Sequence, residues 1–405
     1  MALSNNNDID FLLNELFLSK KKDYHYFAKY LRNYSYIIDS IDHLKKISLV
    51  NEIFYLHNIR KEIESYKNIN FANINLKKFS KTAYPKVSLI ITLYNQEDLM
   101  IKMYSCILNQ SLMNIEIIFI DDNSSDNTSQ IIKKLMDFDK RIIYIRNKSN
   151  KGQFYSRNKA VLLSRGKYIL ILDPDDFLLN NILIKSYKIA NKLKLDILQF
   201  YHIMGNYSQN HLYILNKNSR PIQQPKTNII FFNNPTRYLW DKLIKKDIFV
   251  KSIYFMPEKY RKERFLIHND EIACFGVFKM ANSYGQIDEV GYFYNRNIPN
   301  STTSKNFLPE NLNGRFHCIF SEMKYYYEQS ADCPYEKNYG GYKFFTFRIV
   351  RKYEDKIPFL TEGFDYIEDV INIYLESPFF DSKQKLLLRE FMSKIKKQKL
   401  KIVNI

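Results

Sequence analysis

Apolar positions recur over roughly the first 80 residues with the period of a helix: Ile9, Leu12 and Leu16; then Phe27, Tyr30, Leu31, Tyr34 and Ile38; then Leu44, Ile47, Val50 and Phe54. The spacing predicts about three amphipathic helices packed together or onto the rest of the chain, with a role in oligomerisation also open. Pro85 stops any helix, so a boundary is expected there and residues 1–84 form an N-terminal helical region.

From Lys86 short apolar runs alternate with helical stretches, the pattern of a parallel sheet built from crossover units. Strands are expected at Val87–Leu93, Ile115–Ile120, Arg141–Ile145, Lys167–Leu172 and Asp196–Tyr201. Between them lie helices at Asp98–Asn109 (Leu99, Met103, Cys106 and Ile107 inward), through Ile131, Ile132 and Leu135, at Gln153–Leu163 and at Leu178–Lys192. Residues 205–235 read as a long loop, of the kind that often carries function. Trp240–Val250 joins two halves, Asn269–Met280 reads as a helix, Gln286–Tyr294 as a strand, and helices follow from Phe307. The expected fold class is α/β, Rossmann-like, a mostly parallel sheet flanked by helices, with N-terminal and C-terminal helical additions. Its units are 1–84, a main domain at 85–305 divided into 85–202 and 203–305, and a C-terminal helical region at 306–405.

Composition narrows the picture. The 405 residues are 45% hydrophobic, enough for a sizeable core. A net charge of +18 favours nucleic acid, an anionic membrane surface or phosphorylated ligands. The basic residues are spread without an aromatic-basic repeat, so nucleic acid is not expected. Cys106, Cys274, Cys318 and Cys333 lack CxxC spacing, which argues against a zinc site or a disulfide framework and fits a reducing compartment. With no signal peptide or membrane span in the pattern, the expected location is cytoplasmic. The last helix, Ser382–Lys401, sets Leu388, Phe391, Met392 and Ile395 against eight basic residues. That arrangement suits peripheral contact with anionic lipid at the cytoplasmic face, and equally a solvated C-terminal helix.

The chemistry gathers at Lys167-Tyr168-Ile169-Leu170-Ile171-Leu172-Asp173-Pro174-Asp175-Asp176. Three carboxylates crowd the end of an expected strand, and their mutual repulsion is relieved by a hard divalent cation, Mn²⁺ or Mg²⁺. The plainer alternative makes Asp176 the cap of a helix beginning near Leu178 and leaves Asp173 and Asp175 solvated. Thr92, Tyr94, Asn95, Asp121 and Asp122 also follow strands, so all these groups face the crevice where open α/β sheets bind ligands. An aromatic face, a carboxylate that accepts an amide N–H and a metal-binding edge together fit a nucleotide-sugar.

Several runs occur here in one order: Val87-Ser88-Leu89-Ile90-Ile91-Thr92-Leu93-Tyr94-Asn95, Phe119-Ile120-Asp121-Asp122-Asn123-Ser124-Ser125-Asp126, Asn150-Lys151-Gly152, Arg157-Asn158 ahead of Ala160, Gly166-Lys167-Tyr168 and Asp173-Pro174-Asp175-Asp176. In them the chain resembles the family 2 inverting glycosyltransferases with a GT-A fold. More weakly, Trp240-Asp241-Lys242-Leu243-Ile244, His268-Asn269-Asp270-Glu271 and Asp288-Glu289-Val290-Gly291-Tyr292-Phe293-Tyr294 follow the same family. The resemblance implies a donor site of Thr92, Tyr94, Asn95, Glu97, Asp122, Gly152, Arg157, Asp173 and Asp175. It implies Mn²⁺ or Mg²⁺ on Asp175 and Asp176, and Asp270 as the base. Asn269 stands where the family has an acid, which leaves Asp270 and Glu271 both open as the base. The implied reaction moves a sugar from a nucleotide-sugar, UDP-sugar favoured, to a hydroxyl of a glycan or lipid-linked glycan, in one metal-dependent inverting displacement. A degenerate domain that binds sugar nucleotide without turnover is the rival from another class. A dehydrogenase is excluded by the lack of GxGxxG after the first strand. A dehalogenase-type phosphatase is disfavoured because its motif belongs after an early strand.

Overall fold

The computed structural model describes residues 58–205, 212–214, 237–295, 312–329, 354–377 and 380–403, apart from positions 60, 67, 68, 71, 73, 77, 180, 266–268 and 381. The helices expected before residue 58, most of the 205–235 loop and Cys333 lie outside the described residues.

The first half is a parallel crossover array. β1 (Val87–Leu93) leads to α1 (Glu97–Leu108), β2 (Ile115–Asp121), α2 (Thr128–Phe138), β3 (Ile142–Arg146), α3 (Gln153–Leu163) and β4 (Tyr168–Ile171). Every residue of β1, β2 and β4 is buried, which explains why these strands read as continuous apolar runs rather than alternating ones. β5 (Phe177–Leu178), α4 (Ile182–Leu193), β6 (Ile197–Gly205), β7 (Leu212–Ile214), β8 (Lys242–Lys245), α5 (Lys246–Phe255), α6 (Glu258–Lys262), α7 (Asn269–Met280) and β9 (Tyr284–Asn295) follow. Beyond them are α8 (Leu312–Gln329), a 3₁₀ turn (Glu354–Phe359), α9 (Phe364–Glu376) and α10 (Ser382–Val403).

The nine described strands form one sheet in the order β3-β2-β1-β4-β8-β6-β9-β5, with β7 on β6. The parallel character expected of the whole sheet holds through β3-β2-β1-β4. β8 then runs antiparallel to both β4 and β6, β6 and β9 are parallel, and β5 closes the edge antiparallel to β9.

Three local expectations are corrected. Leu178 does not begin a helix: Phe177 and Leu178 pair with Phe293 and Tyr292, and α4 starts at Ile182. The inward face of α1 includes Met100 and Tyr104, while Leu99 is only half-buried. The apolar stripe of α10 is not available to lipid. Leu388, Phe391, Met392 and Ile395 are buried in the same apolar cluster as Phe320 of α8 and Ile367 of α9. That cluster also contains Phe275 of α7 and Ile169 of β4, so the helices after residue 311 thicken one face of the sheet. On the other face, Ile59, Ile63 and Tyr66 join the core, and Tyr66 lies 5.2 Å from the Phe177 ring. No described helix is long and apolar enough to cross a membrane.

Candidate active site

The site is built where β1, β2 and β4 end. After β1, Thr92 is buried and the Tyr94 ring is 48% exposed, presenting an aromatic face at the mouth of the crevice. Asn95 takes a left-handed conformation (φ 53°), which Asn tolerates well. Its backbone N–H donates to Ser124 Oγ (2.9 Å), and its side-chain oxygen accepts from the Ser125 N–H (2.8 Å). Glu97 Oε2 accepts from the backbone and side chain of Asn127 (2.9 and 2.7 Å). The polar atoms of Asn95 and Glu97 therefore zip the loop after β1 to the loop after β2, and shape the crevice through that loop.

The β2 acids divide their work. Asp121 accepts from the Ser124 N–H (2.7 Å) and the Tyr144 hydroxyl (2.8 Å) and pairs with Arg146 (3.2 Å). Asp122, 4% exposed, accepts from Asn147 Nδ2 (2.8 Å) and from the backbone N–H groups of Lys151 (2.8 Å) and Gly152 (2.6 Å). It thus anchors the turn into α3. Gly152 sits there with φ 89°, where a side chain would be strained and a Cβ would stand 3.4 Å from Arg264 Cγ.

The loop from β4 to β5 carries the acids. Asp173 Oδ1 accepts from Gln153 Nε2 (3.0 Å), and its backbone N–H donates to the Tyr292 hydroxyl (3.1 Å). Asp176 is fully buried. Its two oxygens accept from the Tyr292 hydroxyl (2.7 Å) and the Asn295 N–H (2.8 Å). This corrects one expectation, since Asp176 caps no helix and its carboxylate is held from β9. Tying down this acid fixes the loop, and the partly exposed Asp173 and Asp175 are the pair left at the crevice.

From the far side, the first turn of α7 brings Asp270, whose side chain is 21% exposed and pairs with Arg157 at 2.5 Å. Arg157 is fully buried, also donates to Asn269 Oδ1, and has no hydrogen-bond partner at Nε. Asn269 Nδ2 donates to Gln153 Oε1 (3.3 Å), so an unbroken run of hydrogen bonds joins Asp173, Gln153, Asn269, Arg157 and Asp270. Glu271 turns away from it: 4% exposed, it lies 4.0 Å from Arg237.

The electrostatics follow from this crowding. Burial, then the charges of Asp270 and Asp175, push the Asp173 carboxyl up to about 8, against the opposing pull of Arg157. Burial raises Asp175 to about 6. Asp176 is held well above the carboxylate range by burial and by its two acidic neighbours. Ionising these acids together is costly even beside Arg157, and Asp173 and Asp175 are the donors that could hold a hard divalent ion. Among the described residues, no group of three or more His, Cys, Asp or Glu side chains is placed to hold a metal ion.

Gln153, Tyr292 and Asn295 were not singled out as site residues by sequence reasoning. Only the place of Gln153 beside Gly152, and of Tyr292 in an alternating run, offered a signal.

Residues 88–252 match the family model described as Glycosyl transferase family 2. The uncharacterized glycosyltransferase MJ1057 of Methanocaldococcus jannaschii is 32% identical over 205 residues, covering 49% of this chain and 66% of that protein. The Escherichia coli UDP-Glc:alpha-D-GlcNAc-diphosphoundecaprenol beta-1,3-glucosyltransferase WfaP is 44% identical over 91 residues, 22% of this chain and 36% of that protein. The chain thus spans just under two thirds of the first relative and about a third of the second. The crystal structure of S. aureus TarS 1-349 in complex with UDP-GlcNAc aligns with a TM-score of 0.60 at 16% identity, covering 77% of this chain and 89% of that one, a likeness of fold.

Proposed function

We propose, for a chain that belongs to the family 2 glycosyltransferases and has their GT-A fold, that it transfers a sugar from a UDP-sugar to a hydroxyl of a glycan or lipid-linked glycan with inversion. One observation carries the reading: Asp270 from the second half of the sheet pairs with the buried Arg157, and hydrogen bonds through Asn269 and Gln153 join that pair to Asp173 of the first half. WfaP by its name takes UDP-Glc and a diphosphoundecaprenol-linked sugar, and TarS was crystallised with UDP-GlcNAc, which supports this donor and acceptor chemistry.

In this reading Tyr94 and Thr92 contact the uracil ring, Asp122 and Gly152 set the loop that closes over the nucleoside, and Asn95 and Glu97 act through the loop they brace. Asp175 and Asp173 hold Mn²⁺ or Mg²⁺, which when bound neutralises charge on the diphosphate. Asp176 keeps that loop in place. Arg157 lies within reach of both the diphosphate side and Asp270. Asp270 takes the proton of the acceptor hydroxyl as that oxygen forms its bond to the anomeric carbon and the bond to the diphosphate breaks. No second nucleophilic carboxylate is required, unlike in retaining hydrolases.

Titration calorimetry with UDP, with Mn²⁺ and with EDTA, tests the donor half of the reading. Tight binding only with metal is expected. Equal affinity in both would remove the metal, and no binding in either would remove the nucleotide.

A further inference from the structure

The segment before β8 places a stack of aromatic rings beside the catalytic crevice. The Tyr238 and Trp240 rings are stacked at 4.6 Å and 12°. Trp240 stacks in turn on Tyr292 (4.5 Å, 19°) and on Tyr294 (5.4 Å, 4°) of β9. Trp240 and Tyr292 are buried, but Tyr238 and Tyr294 remain partly exposed.

Two contacts tie this stack to the reacting groups. On one side the Tyr292 hydroxyl donates to Asp176 and accepts from the Asp173 N–H, so a single ring separates Trp240 from the carboxylate loop. On the other, the Tyr238 carbonyl accepts from Cys274 Sγ (3.9 Å), and Arg237 lies 4.0 Å from Glu271. Cys274 is four residues after Asp270 and shares its face of α7, so Tyr238 runs alongside the turn that carries the base. The stack is also held stiffly. Lys242 Nζ donates to the Tyr238 carbonyl (2.7 Å) and to Asp241 (2.6 Å), Gln199 donates to Asp241 (3.0 Å), and His202 stands edge-on to Trp240 at 4.6 Å. A buried polar network of this kind rigidifies what it supports.

We propose that the Tyr238 and Tyr294 rings, backed by Trp240, form a carbohydrate subsite that seats the acceptor sugar against Asp270. A pyranose has an apolar C–H face and a polar rim; the partly exposed Tyr238 and Tyr294 rings suit the first, and Arg237 next to Tyr238 suits the second. The stack stands on the β8 and β9 side of the carboxylate loop, opposite the β1 side where Tyr94 offers a face to a nucleobase. The inference rests on the glycosyltransferase reading, with this face assigned to the acceptor.

Trp240 is the chain's one tryptophan, so its fluorescence reports on the stack. The experiment titrates methyl β-D-glucopyranoside and methyl α-N-acetylglucosaminide against the full chain, with glycerol as control and UDP with Mn²⁺ in parallel. A saturable change with a glycoside and none with glycerol is expected. Tyr238→Ala and Tyr294→Ala, made separately, should raise the glycoside Kd by roughly three- to tenfold, with the corresponding Phe variants near wild type and UDP affinity unmoved. Either Ala variant suffices for the test where the other fails to fold. UDP binding with no saturable glycoside response, or Ala variants that bind glycoside like wild type, would overturn the subsite and leave the glycosyltransferase reading standing. Loss of response to both ligands would take down the two together.

Discussion

Asp270 stands partly exposed beside Arg157, whereas Glu271 is buried toward Arg237, so two neighbouring acids that the sequence left as alternatives occupy different surroundings. Asp270→Asn is expected to lower kcat by about 10²- to 10⁴-fold with little change in UDP affinity, measured by initial rates and calorimetry. Glu271→Gln should cost stability more than turnover. A collapse of kcat in the second and not the first would move the base. Asp173 supplies a test that needs no substrate. Its folded-state value of about 8 lies above the ordinary 3.8, so the folded chain holds the proton more tightly than the unfolded one. Stability from this group is therefore greatest at low pH and falls as pH rises from about 4 to about 8. In Asp173→Asn that fall should shrink, and Mn²⁺ should raise the wild-type Tm more at the upper end of the window than at the lower. A melting profile of the variant parallel to wild type across the window would contradict this. Three acids were legible in the sequence, but which of them turns inward was not. The donors that capture Asp176 are residues 292 and 295, and no local pattern connects them to it.

At the level of elements, α3 and α7 carry the bounds read from the sequence, although α7 is buried all round from Glu271 to Phe278 rather than on one face. β5 was missed for a physical reason. Two residues have no period, and Phe177 and Leu178 become a strand only by pairing with β9, about 115 residues away. That pairing depends on Gly291, whose carbonyl accepts from the Leu179 N–H (2.9 Å). A Cβ there would lie 2.3 Å from Ile182 Cγ1 and 2.8 Å from Phe200 Cδ2. Gly291→Ala should therefore destabilise the fold by about 1–3 kcal/mol through overpacking and weaken metal-dependent UDP binding in parallel, because β5 and β9 hold the carboxylate loop between them. Chemical denaturation and calorimetry on the one variant check both. α10 illustrates the opposite limit of pattern reading: its amphipathicity was evident, but an apolar stripe looks the same whether it meets lipid or protein.

Over the whole molecule, the described helices after residue 311 share a core with the sheet, so they are energetically one unit with it. Phe391→Ala should cost about 3–5 kcal/mol of folding stability, where a helix lying on a membrane would tolerate it. Equilibrium denaturation without lipid decides, and an unchanged midpoint would restore the interfacial reading. The same architecture has a consequence for how the protein is made. Asp176 and the Asn295 N–H that satisfies it are separated by 119 residues. At roughly 5–20 residues per second, a ribosome needs about 6–24 s to pass from one to the other. During that interval the nascent chain already has β1 to β4 and the Gln153 donor to Asp173 but lacks the partners of Asp176, so the acid loop is fastened last, after α7 has been synthesised.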